Sequence, residues 1–449
     1  MLLLTRIQHG VRVLSLAASL TGAPGWLRAQ HQMAEMSVPT ASGIPDARRG
    51  SGTSWLPDSS PVRALTIMRG AWMLSLQGAA FGFYDAQGTK RGAHQWGVTD
   101  WEMLMAMRPV GGGMLRLHAM TSVEPFILGG SGYSELLQTG GTYRHSVLFD
   151  RQHPHDALTE LAASYERAVG DGPTLSLYVG AVGEPAVGPV SFMHRPSAEN
   201  DPFAPIGHHW QDAAHQSFGV ITVGVNTSTL RFEGSVFNPR EPDEHHLIVD
   251  YRDAKLDSYA GRLSWAPTAR VVASAWWAFL NSHDRLEPDT RMHRWGTSVL
   301  TESRGPAGGR LSSSLVWGVN LHHHGAASHE LIHGGPGASP HHLSSSLLAE
   351  SNLEIGRRSA VFARLERVEK NGEELGFQGG DLTTLYDVRA ITLGAIHRVA
   401  SAARLDASLG ARASLNFVPS SLLATYGTRT PTGVAVYLQL RPSVSLHTH

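Results

Sequence analysis

The chain of 449 residues contains no cysteine. Disulfide frameworks, thiolate zinc sites and cysteine nucleophiles are therefore excluded, which leaves histidine, carboxylate and methionine side chains to hold a metal. Charge is also scarce, because only 17% of the residues are charged and 37 Lys and Arg residues nearly balance 38 Asp and Glu residues. A chain without a basic excess has no electrostatic means of holding nucleic acid, so we expect no nucleic-acid partner.

Long apolar runs are missing beyond the first 30 residues. No later stretch reaches the roughly 18 to 20 consecutive apolar residues that a membrane-spanning helix needs. The start of the chain has the features of an export signal, because Arg6 and Arg12 precede the apolar run 13–20 and small residues follow it. We predict a signal peptide at residues 1–29, with an uncleaved anchor helix as the alternative. If the mature protein lies in a membrane, it must cross that membrane as strands.

Composition divides the rest of the chain into an arm, a barrel and a tail. Residues 30–69 are rich in Ser, Pro, Gly and Met and show neither helical nor strand periodicity, which predicts an extended periplasmic arm. From residue 70 onward apolar and polar residues alternate, and this period of two predicts strands. The alternation continues to residue 442, so we predict a barrel domain at 70–442 and a tail at 443–449.

The predicted strands have one apolar face and one polar face. In the segment 405–417, Leu405, Leu409 and Leu415 share a face opposite Asp406 and Arg412. A soluble sandwich would show the same alternation, so the connections must distinguish the two architectures. Short links alternate with eight long ones, near 86–94, 124–160, 185–214, 239–255, 281–292, 322–342, 370–387 and 418–431. This layout is typical of outer-membrane barrels, which have short periplasmic turns and long extracellular loops.

The predicted fold class is therefore all-β, a transmembrane antiparallel β-barrel of about 16 strands with long His-rich extracellular loops. An even number of strands closes such a barrel and leaves no unpaired edge in lipid. Aromatic residues near the strand ends are expected to form girdles at the membrane surfaces. The candidates are Trp72, Phe83, Tyr84, Trp96, Trp101, Trp265, Phe279 and Tyr437.

The segment 359–370, SAVFARLERVEK, and the strand near the C-terminus resemble porin-like bacterial outer-membrane β-barrels. The resemblance is one of pattern and covers most of residues 71–442. It implies a channel in the bacterial outer membrane, surrounded by lipid, through which small solutes or ions pass. A homo-oligomer is also kept open. A fainter similarity, carried by HQMAEM at 31–36, is to copper-resistance outer-membrane barrels.

The inward face of the predicted strands carries charges of both signs, which is typical of a water-filled lumen. This favours a passive or weakly selective channel. The predicted lumen-lining residues are Arg116, Arg231, Glu233, Arg310, Glu350, Glu354, Arg364, Glu366, Asp406, Arg412 and Arg441, with His118 beside them.

Histidine is unusually frequent, with 25 residues, of which most fall in the predicted extracellular loops. Imidazole and carboxylate groups together suit Zn and Cu. We therefore predict that the second and third long loops bind Cu or Zn, although polar loops without a metal are the simpler interpretation. The predicted ligands are His153, His155, Asp156, His208, His209 and Asp212.

Two other functions stay open. One is a metal-resistance barrel associated with copper efflux, and the other is a barrel hydrolase that aligns Ser, His and a carboxylate at the lipid-facing rim. The sequence lacks the GxSxG elbow of one common hydrolase class. The segment HELIH at 329–333 lies in a Gly-rich loop without an apolar helix around it, so we do not expect a zinc protease. The channel requires no cofactor, and we do not expect an enzyme.

Overall fold

The computed structural model describes residues 44–144, 146–239, 246, 255–281, 289–325, 341–377 and 382–443. The predicted signal peptide 1–29, the segment 31–36, the motif at 329–333 and all but the first residue of the predicted tail lie outside the described residues. None of the helices in these ranges has the length and apolar character needed to cross a membrane.

The described part of the chain is built almost wholly from strands. They are β1 (Leu65–Arg69), β2 (Trp72–Gly88), β3 (His94–Val110), β4 (Gly113–Thr121), β5 (Tyr133–Tyr143), β6 (Ser146–Gln152), β7 (Leu158–Ala168), β8 (Thr174–Gly183), β9 (Ser217–Asn226), β10 (Leu230–Asn238), β11 (Ser258–Thr268), β12 (Val271–Asn281), β13 (Arg291–Arg304), β14 (Arg310–His323), β15 (His341–Ile355), β16 (Ser359–Lys370), β17 (Tyr386–Ala402), β18 (Leu405–Phe417) and β19 (Thr432–Pro442). Short α-helices occupy Glu124–Ile127, His208–Gln211 and Leu423–Tyr426, and 3-10 turns occupy Asp46–Arg48, Phe192–His194, Ala213–His215, Pro306–Gly308 and Ser420–Leu422.

Sixteen of the described strands form a closed antiparallel barrel. Each pairs with its neighbour along the chain, except that β4 pairs directly with β7, since β5 and β6 form a separate hairpin. The last strand returns to the first, with Leu440 of β19 opposite Ala80 of β2. Short β1 pairs with the beginning of β2, Leu65 opposite Leu76, and so continues the line of β19. The predicted sixteen-stranded barrel is confirmed.

The strands are joined by short turns at one end of the barrel, the turn end, and by long loops at the other, the loop end. At the loop end the strands are separated by the links 89–93, 122–157, 184–216, 239–257, 282–290, 324–340, 371–385 and 418–431, which fall where the eight long links were predicted, although the first has only five residues. Residues 145, 240–245, 247–254, 282–288, 326–340 and 378–381 of these links lie outside the described residues. The turns are 111–112, 169–173, 227–229, 269–270, 305–309, 356–358 and 403–404. The sequence pattern had not identified the turn at 305–309.

Two of the two-residue turns, 111–112 and 403–404, have the positive φ angles of the usual hairpin types. Gly111 and Gly112 have φ values of 56° and 79°, a conformation that glycine adopts without a steric penalty. Ala403 and Arg404 adopt φ values of 50° and 68° with side chains present. The second turn is therefore the more strained of the two.

The outer surface of the barrel is apolar and the inner surface is polar, as the alternation predicts. Leu409 of β18 is 55% exposed, whereas the preceding Ser408 is 4% exposed. Val434 and Val436 of β19 and Phe232 of β10 are exposed in the same way. Because infolded segments cover the inner face, a buried side chain on a barrel strand generally marks the inside.

The predicted aromatic girdle is correct for only some of its members. Trp96 and Trp265 are exposed on the outer face. Phe83 and Tyr437 are instead buried in the barrel interior, and the ring of Trp101 lies at a tilt against an imidazole of an infolded loop, with ring centroids 4.2 Å apart. Aromatic character near a strand end does not distinguish a ring that faces outward from one that fills the interior.

Candidate functional site

Among the described residues, three long segments fold into the barrel and fill much of its interior. One is the described beginning of the chain, residues 44–64, which we call the N-terminal segment. The second is the loop 122–157 with its hairpin β5–β6. The third is the loop 184–216, which is buried along most of its length and which we call the constriction loop. The functional site must therefore be sought in the space that these segments leave.

The constriction loop is fastened to the wall through its helix His208–Gln211. The indole Nε1 of Trp210 donates to the hydroxyl of Ser344 at 2.8 Å. The amide of Gln211 donates to the hydroxyl of Ser346 at 3.0 Å, on the same face of β15. Arg294 of β13 donates to the carbonyl of His209 at 2.6 Å. These bonds hold the helix against three neighbouring strands of the wall, since β13 and β14 also contact it.

Arg195 joins the constriction loop to the wall through buried ion pairs. Its guanidinium is fully buried and donates to Glu350 of β15 at 2.6 Å and to Asp212 of the loop at 2.7 Å. Arg364 of β16 adds a second link, 3.3 Å from both Glu350 and Asp201. Buried charges of this kind are stable only while each has its partner, so the loop and the wall depend on one another.

His208 and Asp212 form a buried pair beside Arg195, with Nδ1 and Oδ1 2.5 Å apart. Burial tends to raise the pKa of Asp212, but His208 and Arg195 lower it more, so the carboxyl has a pKa well below its usual range. Burial lowers the pKa of His208, and Asp212 offsets this only in part. At neutral pH we therefore expect a neutral His208 that donates its Nδ1 proton to an ionised Asp212.

The loop 122–157 holds a second buried pair. The backbone N–H and the Nδ1 of His155 both lie within 3.0 Å of Oε2 of Glu124. Burial tends to lower the pKa of His155, but the Glu124 carboxylate outweighs it and the net shift is upward. The next residue, Asp156, accepts from His246 at 2.7 Å and from Gln216 at 2.8 Å. Asp156 thereby ties together the second, third and fourth loops.

The structure brings the predicted metal-binding loops together. The rings of His153 and His209 lie 5.8 Å apart, and His208 contacts His209 at 5.0 Å. The carboxylates of Asp156 and Asp212 already accept hydrogen bonds from other side chains. Within the described ranges, the one group with three ligand atoms within 4.8 Å of one another contains none of the six predicted residues. A metal on these six residues stays a prediction.

The predicted lumen-lining charges face inward, but most are covered by the infolded segments. The buried members are Arg116, Arg231, Glu233, Glu350, Arg364, Glu366, Asp406 and Arg412. Each is held by a partner, as in the pairs Arg116–Glu166 at 3.1 Å and Arg412–Asp201 at 3.2 Å. Arg310, Glu354 and Arg441 are partly exposed, with Arg310 2.7 Å from Glu354. The charges of both signs therefore bind the infolded segments to the wall, and some of them also line the space that remains open in the lumen.

The N-terminal segment lies inside the turn end of the barrel. Arg48 donates to Asp58 within the segment at 2.8 Å and to the carbonyl of Ser228 in the turn between β9 and β10. Arg49 forms a two-pronged pair with Glu166 of β7, at 2.6 and 2.8 Å. Residues 44–64 of the predicted periplasmic arm are therefore docked in the lumen, and its last five residues form β1. The lack of periodicity gave no reason to expect either.

The N-terminal segment also reaches the constriction loop. The hydroxyl of Ser51 accepts from the backbone N–H of Ser191 at 3.0 Å. Gly52 has a φ of +54°, and a Cβ at this position would meet the Cβ of Glu184 at 2.7 Å. Burial raises the pKa of Glu184 to about 8, although Arg262 opposes the shift. The two infolded segments thus contact each other directly across the lumen.

A chamber of about 1590 Å³ remains open inside the barrel. It lies between the N-terminal segment, the constriction loop and the inner face of β2–β4, and its lining extends from Arg404 in a turn to Gln152 in the β5–β6 hairpin. Met103, Met105 and Met107 of β3 form one wall. Seven arginines and seven acidic residues contribute to the lining. The chamber therefore has no strong excess of either charge.

No family model matches the chain, and no curated protein matches it. Solved structures to which it is similar include an anion-selective porin from Comamonas acidovorans, with 12% identity, a TM-score of 0.48, and 83% of this chain and 99% of that chain covered. Another is OmpF of Salmonella typhi in complex with daunomycin, with 10% identity, a TM-score of 0.48, and 84% and 100% covered. A third is the outer-membrane channel DcaP of Acinetobacter baumannii, with 9% identity, a TM-score of 0.47, and 85% and 100% covered.

These likenesses concern the arrangement of strands. At 12% identity or less and TM-scores below 0.5, they add nothing to what the strand pairing of this chain establishes. The sixteen-stranded barrel that the alternation and the links predicted is confirmed by that pairing itself.

Proposed function

We propose that this chain is a bacterial outer-membrane channel through which small solutes or ions pass by way of the chamber. The observation that carries the proposal is the contrast between the two faces of the closed barrel. Leu409, Phe232 and Val436 belong to an exposed apolar surface, while charged side chains face inward. A closed barrel satisfies its backbone hydrogen bonds without water, and an apolar outer band is what lipid would cover.

The contents of the barrel make the proposed channel a narrow one. The N-terminal segment and the constriction loop fill part of the lumen. The space that they leave open for solutes is the chamber beside β2–β4. Because arginines and acidic residues are equally frequent in its lining, we expect weak selectivity between anions and cations. An outer-membrane location places the long loops outside the cell and the N-terminal segment on the periplasmic side. Assembly into a homo-oligomer stays a prediction.

A link to metals is a separate part of the proposal. The rings of His153 and His209 lie close together, which supports the convergence of the second and third loops that the metal-binding hypothesis requires. Asp212 already accepts hydrogen bonds from Arg195 and His208. Its carboxylate is therefore disfavoured as a metal ligand, because coordination would break a buried ion pair. The copper-resistance and hydrolase alternatives gain no specific support from the contacts described above.

Two adjacent residues of β3 provide a test of the route. Met105 lines the chamber and Leu104 is exposed on the outer face. Since the chain has no cysteine, Met105→Cys and Leu104→Cys each introduce a unique thiol. A charged methanethiosulfonate reagent is expected to lower the planar-bilayer conductance of Met105→Cys markedly, because the added group occupies the route, and to leave Leu104→Cys unchanged.

Each variant should first migrate faster unheated than heated on a gel, which shows that the barrel is closed. Mass spectrometry then measures the extent of labelling. Full modification of Met105→Cys without a change in conductance would place the route elsewhere, and an equal effect in Leu104→Cys would show that the two faces of β3 are misassigned.

A further inference from the structure

Three histidines at the loop end of β14 and β15 form a cluster that the contacts described so far do not use. His322 lies on β14, and His324 follows two positions later. His342 of β15 lies directly opposite His322 in the strand register. Residues two apart share a face of a strand, and directly opposed residues are the nearest cross-strand neighbours. The pairing of the two strands therefore brings the three imidazoles together.

The cluster has the spacing of a metal site. One nitrogen from each ring lies within 4.8 Å of the others. Nε2 of His324 and Nδ1 of His342 are 3.1 Å apart, and the ring centroids of His322 and His342 are 4.4 Å apart. With Zn–N distances of about 2.0–2.1 Å, tetrahedral ligands lie roughly 3.4 Å from one another. One pair already has this separation, and rotation of the third side chain would complete the set.

The surroundings of the cluster favour a cation. The hydroxyl of Thr290 lies 3.3 Å from Nδ1 of His324, a contact of the kind that orients a ligating imidazole through its other nitrogen. The carboxylate of Asp289 lies so close to Gly325 that a Cβ there would meet Oδ2 at 2.3 Å. His324 and His342 are both buried. An acidic group next to the residue that follows His324 lowers the cost of holding a positive ion in this region.

The position of the cluster is defined by β15. His342 shares the inner face of this strand with Ser344 and Ser346, the two residues that hold the helix of the constriction loop. The cluster thus lies on the inner wall, next to this helix on its loop-end side. It is separate from the six residues predicted to bind metal, none of which belongs to it.

We propose that His322, His324 and His342 form a zinc site at the mouth of the barrel. Three neutral imidazoles suit Zn(II), and a three-histidine set leaves a fourth position for water or another ligand. The proposal does not depend on the channel function, because it needs only the pairing of β14 with β15. If the zinc proposal or the channel proposal fails its test, the other is unaffected.

Calorimetric titration of the refolded full chain with zinc chloride tests the site. Saturable binding is expected, and His342→Ala should weaken it by more than about tenfold, the scale on which even outer partners of a metal site act. Titration with Co(II) gives an independent readout. Visible d–d absorption is expected with the wild-type chain and should be lost in His342→Ala.

The neighbouring histidines provide matched controls. His323 and His341 are also paired across the two strands, with their rings 4.5 Å apart, but they lie on the opposite face. His323→Ala and His341→Ala are expected to bind zinc as the wild type does. The heat-dependent gel shift verifies folding of every variant.

Three results would overturn the assignment. One is the absence of saturable zinc binding in the folded chain. Another is an equal loss of affinity in His323→Ala and His342→Ala. The third is full binding by His342→Ala together with loss in a His153→Ala, His155→Ala double variant, which would assign the metal to the predicted loop site instead.

Discussion

Replacing residues 44–61 by a Gly-Ser segment of equal length is expected to raise the single-channel conductance several-fold. The N-terminal segment occupies the turn end of the lumen through Arg48, Arg49 and their partners on the wall. A Gly-Ser chain makes none of these contacts and behaves as a flexible coil. Water and ions should then enter the space beside β7 and β10, and Glu166 would lose its Arg49 partner. Conductance in planar bilayers under identical salt measures the effect.

The single substitution Arg49→Ala perturbs the same segment less than this replacement does. It removes one docking pair and leaves the rest of the segment intact, so we expect a smaller rise in conductance with more frequent transitions between levels. Unchanged conductance of the Gly-Ser variant, with the barrel shown to be closed by its gel shift, would mean that the segment does not restrict the route.

Replacing Arg195 by Met is expected to lower the free energy of unfolding by about 3–5 kcal/mol, the usual cost of removing one partner of a buried ion pair. The substitution leaves the carboxylates of Asp212 and Glu350 buried without the guanidinium that now lies 2.6 to 2.7 Å from them. Because the constriction loop depends on this contact, limited proteolysis should also cut within 184–216 faster than in the wild type. Denaturant titration in detergent measures the first effect.

Arg389→Met provides the matched control. Arg389 pairs with Asp387 at 3.0 Å, but its side chain is 63% exposed. Exposed pairs contribute only about 0–1 kcal/mol. A similar loss of stability in Arg195→Met and Arg389→Met would show that the buried pair does not hold the constriction loop.

The barrel itself could be predicted from the sequence because its physical causes are local. Alternation places Leu409 outward and Ser408 inward, and link length separates most of the loops from the turns. The turn at 305–309 was missed although Gly305, Pro306, Gly308 and Gly309 are residues typical of turns. The misassigned aromatic rings show that residue type alone is a poor guide, since Phe83 and Tyr437 face inward by strand alternation and pack there in one cluster with Tyr133 and Phe203 of the infolded segments.

The contents of the barrel could not be predicted in the same way. Docking of the N-terminal segment and of the constriction loop depends on contacts between residues more than 100 positions apart, such as Arg49 with Glu166 and Arg195 with Glu350. Residues 44–64 have no periodicity, although Arg48, Arg49, Trp55 and Leu56 were a signal that this stretch is not a simple linker. The histidine trio was not predicted, because the sequence shows His322, His324 and His342 but not the register that places His342 opposite His322.

The most direct test of the proposed channel is solute flux into liposomes that contain the refolded full chain. The structure predicts swelling in an isotonic pentose solution, slower swelling in a trisaccharide because the chamber is narrow, and none with heat-denatured protein. Flux should also be insensitive to the sign of charge on solutes of equal size, given the balanced lining of the chamber. Absence of swelling in every solute, by protein that shows the gel shift of a closed barrel, would contradict the channel function.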